Sequence, residues 1–170
     1  GNAAARAKGW KRFDRNPVFD EAELTKIVKA GVNRLQEMQL SDGGWGWFSG
    51  WGEYSSAHTT ATVVHGLQIA QQNDVALVPG VLERGIEWLK RYQEDELKKL
   101  ANVDKKGNPI DKNKAYKHYA DNLDALVYMV LVDAGAKNDT MRDRLYQDRT
   151  KLAVYALATY GLALNKHQEA

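Results

Sequence analysis

The sequence predicts an all-α chain, on three observations. Apolar residues recur at helical spacing in one segment after another. Charged amphipathic segments alternate three times with segments almost free of charge. A nine-residue stretch also repeats at an offset of 54: Gly31-Val32-Asn33-Arg34-Leu35-Gln36-Glu37-Met38-Gln39 aligns with Gly85-Ile86-Glu87-Trp88-Leu89-Lys90-Arg91-Tyr92-Gln93. Together these describe a two-layer array. Wet-faced helices form the outer layer, charge-free helices form the inner one, and each pair stacks on the next to bury its faces.

Residues 1–19 are basic and aperiodic, with Arg6, Lys8, Lys11, Arg12 and Arg15 against Asp14. They read as a basic leader that Trp10 and Phe13 pack onto the body, a free tail being the alternative. The array itself is expected over 20–170. A first helix is expected at about 20–39, capped by Asp20 with Glu23 three residues on, its stripe made by Leu24, Ile27, Val28, Leu35 and Met38. A loop at 41–54 then holds five glycines and three of the five tryptophans. Dense glycine permits tight turns, and the aromatic rings supply buried area that glycine lacks, so a structured loop is expected. Residues 57–70 carry no formal charge and read as a buried helix, although the β-branched run Thr59–Val64 makes a strand the competitor. A second amphipathic helix is expected at 79–100, with Pro79 in its first turn and Val81, Leu82, Ile86, Leu89, Tyr92 and Leu97 as its stripe. A Lys-, Asp- and Asn-rich loop follows over 101–115. Further helices are expected at 119–134 with Gly135 at the C-terminal cap, at Asn138 to about 148, and at 152–164, the last wholly uncharged.

Composition removes many chemistries. The chain has 170 residues and no cysteine, which excludes disulfides, thiolate metal sites, cysteine nucleophiles and an internal thioester within it. Its 24 basic and 22 acidic residues are too evenly balanced to argue for nucleic acid. No apolar run reaches the roughly 18 residues of a membrane span. Phosphate loops, dinucleotide fingerprints and Ser-x-x-Lys are missing from the sequence.

The most informative segment is Gln39-Leu40-Ser41-Asp42-Gly43-Gly44-Trp45-Gly46. Gln39 ends a helix and is able to bond backbone groups left open at helix termini. Asp42 is placed to cap a turn, Gly43, Gly44 and Gly46 let the chain fold back, and Trp45 stacks over the turn. This is a structural role. The segment resembles the Gln…Asp-Gly-x-Trp repeat of triterpene cyclases and other α/α toroids. Extended to Leu35 and Trp47, and taken with Thr59-Thr60-Ala61-x-Val63-Val64-x-Gly66-Leu67 and Leu82-Glu83-Arg84-Gly85-Ile86-x-Trp88-Leu89, it is similar to the thioester-containing domain of bacterial alpha-2-macroglobulins over about 31–93. The resemblance implies a partial α/α toroid, with outer amphipathic and inner apolar helices, about half of the whole. It implies a non-catalytic part of a protease-trapping protein, in the periplasm or secreted, whose partners are other domains of the same chain and target proteases. It implies no cofactor. The Cys-x-Glu-Gln thioester of many members has no counterpart in these residues.

Other residues are candidates on their own chemistry. Trp47, Trp51, Tyr54 and His58 form a possible ligand or partner surface, and stacking on sugars is one use for it. His58 and His65 lie two turns apart on one helix, a spacing that fits packed or hydrogen-bonded histidines better than a metal pair. Asp121 and Asp124 read either as an acid/base pair, for a toroid enzyme acting on a glycan or polyprenyl substrate, or as acids at a helix N-terminus. The seven lysines of 98–117 read as a solvated loop. Asn138-Asp139-Thr140 fits a glycosylation sequon and a helix cap equally well. The uncharged last helix predicts that the chain alone exposes an apolar face or forms a homodimer through it.

Overall fold

A computed structural model describes residues 20–47 and 52–168. The leader at 1–19 and Trp51 lie outside the described residues. The described residues form six α-helices and no strand: α1 (Glu21–Glu37), α2 (Ala57–Gln72), α3 (Val81–Ala101), α4 (Asn122–Asp133), α5 (Asp139–Asp148) and α6 (Val154–Gln168), with a 3-10 turn at Arg149–Lys151. The fold class is therefore all-α, as the periodicity predicts. The described residues divide into two compact units, one up to Glu37 and one from Met38 onward.

In the first unit, Asp20 caps α1. Its Oδ1 accepts from the Glu23 amide at 3.0 Å, and Glu21 and Glu23 sit where the helix dipole favours acids. The helix stops at Glu37, two residues short of the expected end. Val32 is its buried residue, whereas Leu24 and Ile27 of the expected stripe are exposed. Periodicity groups residues on one face but does not say how much of that face is covered.

In the second unit α4 is the hub, packing against α2, α3, α5 and α6. Its sequence explains this. From Ala125 to Val132 every residue but Leu126 is buried, and each large apolar side chain removed from water contributes about 1.5–3 kcal/mol. α4 opens with a capping box, the Asp121 carboxylate on the Leu123 and Asp124 amides and Asp124 on the Asp121 amide. It ends in a Schellman turn: Gly135 adopts φ +75°, and the Ala136 and Gly135 amides bond Leu131 O and Val132 O. Gly135 thus stands one residue past the cap, which is Ala134.

The segment at 57–72 is a helix, and the β-branched run does not divert it, because Ser56 caps it through the Thr59 amide and its inner face packs on α3 and α4. The Gln68 amide donates to Val130 O at 3.0 Å, pinning α2 to α4. α3 starts two residues later than expected. Gly80, at φ +84°, is its N-cap, so Pro79 precedes the helix instead of entering its first turn. The buried face of α3 also includes Gln93 and Glu96, which the apolar stripe did not contain.

Connections are tied by amide side chains. Asn102 organises the lysine-rich loop, donating to Asp111 O and accepting from the Asp111 amide. Asn138 caps α5 through the Met141 amide at 2.9 Å, the capping reading of that residue. Asn122 accepts from the Ala153 amide ahead of α6. α6 is uncharged over most of its length but not enclosed: Ala156, Tyr160 and Ala163 are buried, and the opposite face is exposed.

Candidate functional site: the glycine–tryptophan knot

The segment Gln39–Trp45 folds into a knot that joins the loop to α2 and α3. It begins with a reverse turn. The Gly43 amide bonds Leu40 O and the Leu40 amide bonds Gly44 O, at 3.0 and 2.9 Å. Gly43 takes φ +95°, and a Cβ there would stand 2.8 Å from Arg84 O, so only glycine fits both the turn and the approach of α3.

Gln39 lies two residues past α1 and spends its whole amide on this turn. Its Nε2 donates to Gly43 O at 2.9 Å and to Val81 O, in the first turn of α3, at 2.8 Å. Its Oε1 accepts both Nε and Nη2 of Arg84. Asp42 is the second node. Its Oδ1 accepts from the Gly44 amide and the Ser55 hydroxyl, its Oδ2 from the Trp88 indole at 2.9 Å, and its backbone carbonyl from Arg91. Partial burial raises the Asp42 carboxyl, but the bonds from Ser55, Gly44 and Trp88 outweigh it and hold the group below the usual carboxylate range. Trp45 is the third node and is only 2% exposed. Its amide donates to Thr60 Oγ1 at 2.9 Å and its carbonyl accepts from the Ser56 amide, so it locks the start of α2. A Cβ at Gly85 of α3 would meet Val64 of α2 at 2.7 Å and the Trp45 ring at 2.8 Å, which measures how closely α2, α3 and the indole converge.

The Gln39 amide and the Asp42 carboxylate spend their hydrogen bonds within the chain. Its chemistry is that of a clamp. The partners Ser55, Thr60, Arg84, Trp88 and Arg91 were not legible beforehand, because hydrogen-bond partners 13 to 49 residues away leave no local pattern.

Part of the chain has a relative. A stretch of 69 residues is 38% identical to an alpha-2-macroglobulin of Thermotoga maritima. That stretch is 41% of this chain and spans 4% of the length of the Thermotoga protein. No protein-family model and no solved structure matches the chain. The likeness supports a relation to alpha-2-macroglobulins over part of the chain, in keeping with the resemblance carried by the Gln39–Trp45 segment.

Outside the clamp, the aromatic surface divides. Trp47 is 69% exposed and stacks parallel to the His58 ring, with centroids 6.4 Å apart. Tyr54 is 88% exposed. His65 does not share a site with His58. Its Nδ1 points to Asp133 of α4 at 3.8 Å, and Lys166 of α6 takes the other Asp133 oxygen at 2.5 Å.

Asp121 and Asp124 join a part-buried charge cluster instead of forming an open pair. Lys117 Nζ lies 2.7 Å from Glu96, 2.9 Å from Asp121 and 2.7 Å from Asp124, and Lys99 takes the remaining Glu96 oxygen. Burial pushes the Asp124 carboxyl up to about 6, against the pull of Lys117. Burial raises Glu96 too, yet hydrogen bonds from Lys117 and Lys99 outweigh it and leave it below its ordinary range. Asp124 is the more deeply buried of the two and shares one ammonium group, whereas Glu96 has two. Of the lysines of that stretch, Lys117 reaches all three carboxylates, a role that composition alone did not mark.

A third cluster ties α6 to α4 and α5. His167 Nδ1 lies 2.7 Å from the Tyr128 hydroxyl, and His167 Nε2 lies 3.1 Å from Asp139, which Arg142 also holds. Tyr128 is fully buried, and burial lifts its phenol to about 12. The order acid–histidine–hydroxyl has the form of a relay, but the hydroxyl is sealed from solvent, so the cluster is a latch between helices.

Proposed function

We propose that this chain is a non-catalytic helical part of an alpha-2-macroglobulin-like protein that traps proteases. The observation that carries the reading is the 38% identity with the Thermotoga alpha-2-macroglobulin over 69 residues, joined to a Gln39–Asp42–Trp45 clamp that ties the loop to α2 and α3. Its architecture is taken as a partial α/α toroid over 20–170. Within the second unit, α2, α4 and α6 are taken as the inner layer and the charged α3 and α5 as the outer one. Trapping is then a property of the whole protein, and this part supplies rigidity. Its partners are other domains of the same chain and, through them, target proteases, in the periplasm or outside the cell. The full-length protein, mixed with a broad-specificity endopeptidase, is expected to block cleavage of a large protein substrate while a small peptide substrate is still cleaved. Equal cleavage of both substrates with and without the protein contradicts the reading. The charge cluster gives the enzymatic alternative a clear check: Asp121→Ala and Asp124→Ala change stability but no turnover of a glycan or polyprenyl substrate.

A second reading rests on a separate observation. Trp47 and Tyr54 keep their rings in water, and Trp47 lies parallel to His58, which is the flat aromatic surface that stacks on a sugar ring. Glycan binding is expected to appear as quenching or shift of Trp fluorescence on titration with soluble oligosaccharides, lost in Trp47→Ala. A flat titration across neutral and anionic glycans removes it.

A further inference from the structure

The last part of the connection from α3 to α4 is wet. Residues 112–116, 118 and 119 are exposed, and Lys117 between them turns inward, its side chain 17% exposed. The stretch is pinned at both ends: Asn102 holds Asp111, and Asp148 accepts from the Ala120 amide. Between the pins the Lys117 amide donates to Lys99 O at 3.1 Å, Asn102 reaches Lys114 O and Ala115 O at 3.3 Å, and Lys151 lies over the Tyr119 ring. The Lys117 ammonium adds its contacts with Glu96 of α3 and with Asp121 and Asp124 at the start of α4. We propose that this cluster is a proton-sensitive latch, which closes residues 112–119 onto α3 and α4 and loosens them when Asp124 takes up a proton.

Charge and burial carry the latch. Three carboxylates face two ammonium groups, Lys117 and Lys99, so the cluster holds one negative charge in excess. Asp124 bears the cost. It is 1% exposed, its Oδ2 serves both Lys117 and the Asp121 amide, and its Oδ1 meets no donor. A buried carboxylate with half of its acceptors unmet gains most from a proton. Burial accordingly raises this carboxyl to about 6, whereas the hydrogen bonds from Lys117 and Lys99 outweigh burial at Glu96 and keep it ionised. Burial, with Glu96 and Asp124 nearby, also raises the Tyr92 phenol, which stays protonated. The other helices on α4 bring groups that are engaged elsewhere. Asp148 of α5 pairs with Arg144 and Lys151. α2 has no acidic or basic residue apart from His58 and His65. Lys166 and His167 of α6 bond Asp133, Tyr128 and Asp139. The sign follows by linkage. Lys117 pulls Asp124 down against burial, and the capping box keeps Asp124 in place when Lys117 swings away, so the carboxyl stands higher in the unlatched form. The form with the higher value binds the proton more tightly, so acid favours release. Glu96 stays charged and limits the release to a loosening.

The Lys117 amide reports the latch directly, because its bond to Lys99 O breaks when the stretch lifts. Solvent-exchange NMR at pH 5 and pH 7.5, with each rate divided by the intrinsic rate at that pH, gives its protection. Leu67 of α2, fully buried, is the reference for the rest of the fold. In wild type the Lys117 protection is expected to be roughly three- to tenfold lower at pH 5, the factor that goes with a coupling of up to about one pKa unit, while that of Leu67 does not fall. Asp124→Asn, which removes the titrating charge and keeps the shape, is expected to show the low value at both pH values. Glu96→Gln keeps Asp124 and is expected to retain the acid response from a lower starting protection. His118 stands beside Lys117 in the chain, against Tyr116, and His118→Gln is expected to respond as wild type does. Equal wild-type protection at both pH values overturns the proposal. So does an acid response that survives in Asp124→Asn, one that disappears in His118→Gln, or a parallel fall at Leu67, which marks loosening of the whole fold.

Discussion

Asp42 and Asp124 are two carboxylates of one fold with opposite tasks, and pH separates them. Asp42 is held below the ordinary carboxylate range by the donors around it. Its contribution to stability is present above the unfolded value near 4 and is lost as pH falls through the lower folded value. Asp124 is raised to about 6. Between about pH 4 and 6 the folded chain holds that proton more tightly than the unfolded chain, so this group's contribution falls as pH rises through that window. Urea unfolding at pH 4.5 and pH 7 is expected to show wild type gaining on Asp124→Asn at the lower pH; an equal difference at both values contradicts the assignment. Lys117 is the counterpart. Lys117→Met leaves Glu96 and Asp124 without their shared cation and is expected to cost about 3–5 kcal/mol at pH 7, with part of that recovered at pH 5 in the same titration. None of this was legible in the sequence, where Lys117 is one lysine among seven in its stretch and Asp121 and Asp124 carry two readings of similar form.

Two glycines give the element scale a direct comparison. At Gly85 an added methyl meets Val64 at 2.7 Å and Trp45 at 2.8 Å, where α2, α3 and the indole converge. Gly85→Ala is expected to destabilise by about 1–3 kcal/mol through overpacking. At Gly66, on the open side of α2, nothing stands within 4 Å, and Gly66→Ala is expected to stabilise by about 0.5–1 kcal/mol through helix propensity. Thermal melts of the pair report both signs; a common sign for the two defeats the packing account. The helices themselves were readable because local spacing and capping residues such as Asp20, Asn138 and Gly135 carry them. Boundaries were less so. The offset-54 repeat equates Gln39 with Gln93, yet Gln39 lies beyond the end of α1 and clamps a turn, while Gln93 is buried inside α3. The same residue type serves two ends because Gly43 and Gly44 follow Gln39 in the chain, whereas Glu94-Asp95-Glu96 carries the helix on past Gln93.

For the whole molecule, the alternation of charged and charge-free segments marked which helices carry little charge and not how fully they are enclosed. α4 is enclosed all round, and α6, with a similar lack of charge, is covered on one side only. Composition measures the wish for burial, and topology decides how many neighbours are there to supply it. The Gln39–Trp45 segment was legible as structure in its own residues, but its partners came from α2 and α3, far along the chain. The central claim is that this segment clamps the fold while the exposed rings beside it do not. Equilibrium urea unfolding of Asp42→Ala beside Trp47→Ala tests this most directly. The account predicts a loss of about 2–3 kcal/mol for Asp42→Ala, whose carboxylate holds the Gly44 amide, Ser55 and Trp88. It predicts a change within about 0.5 kcal/mol for the exposed Trp47→Ala. An Asp42→Ala protein as stable as wild type, or a Trp47→Ala protein that loses more than Asp42→Ala, contradicts it.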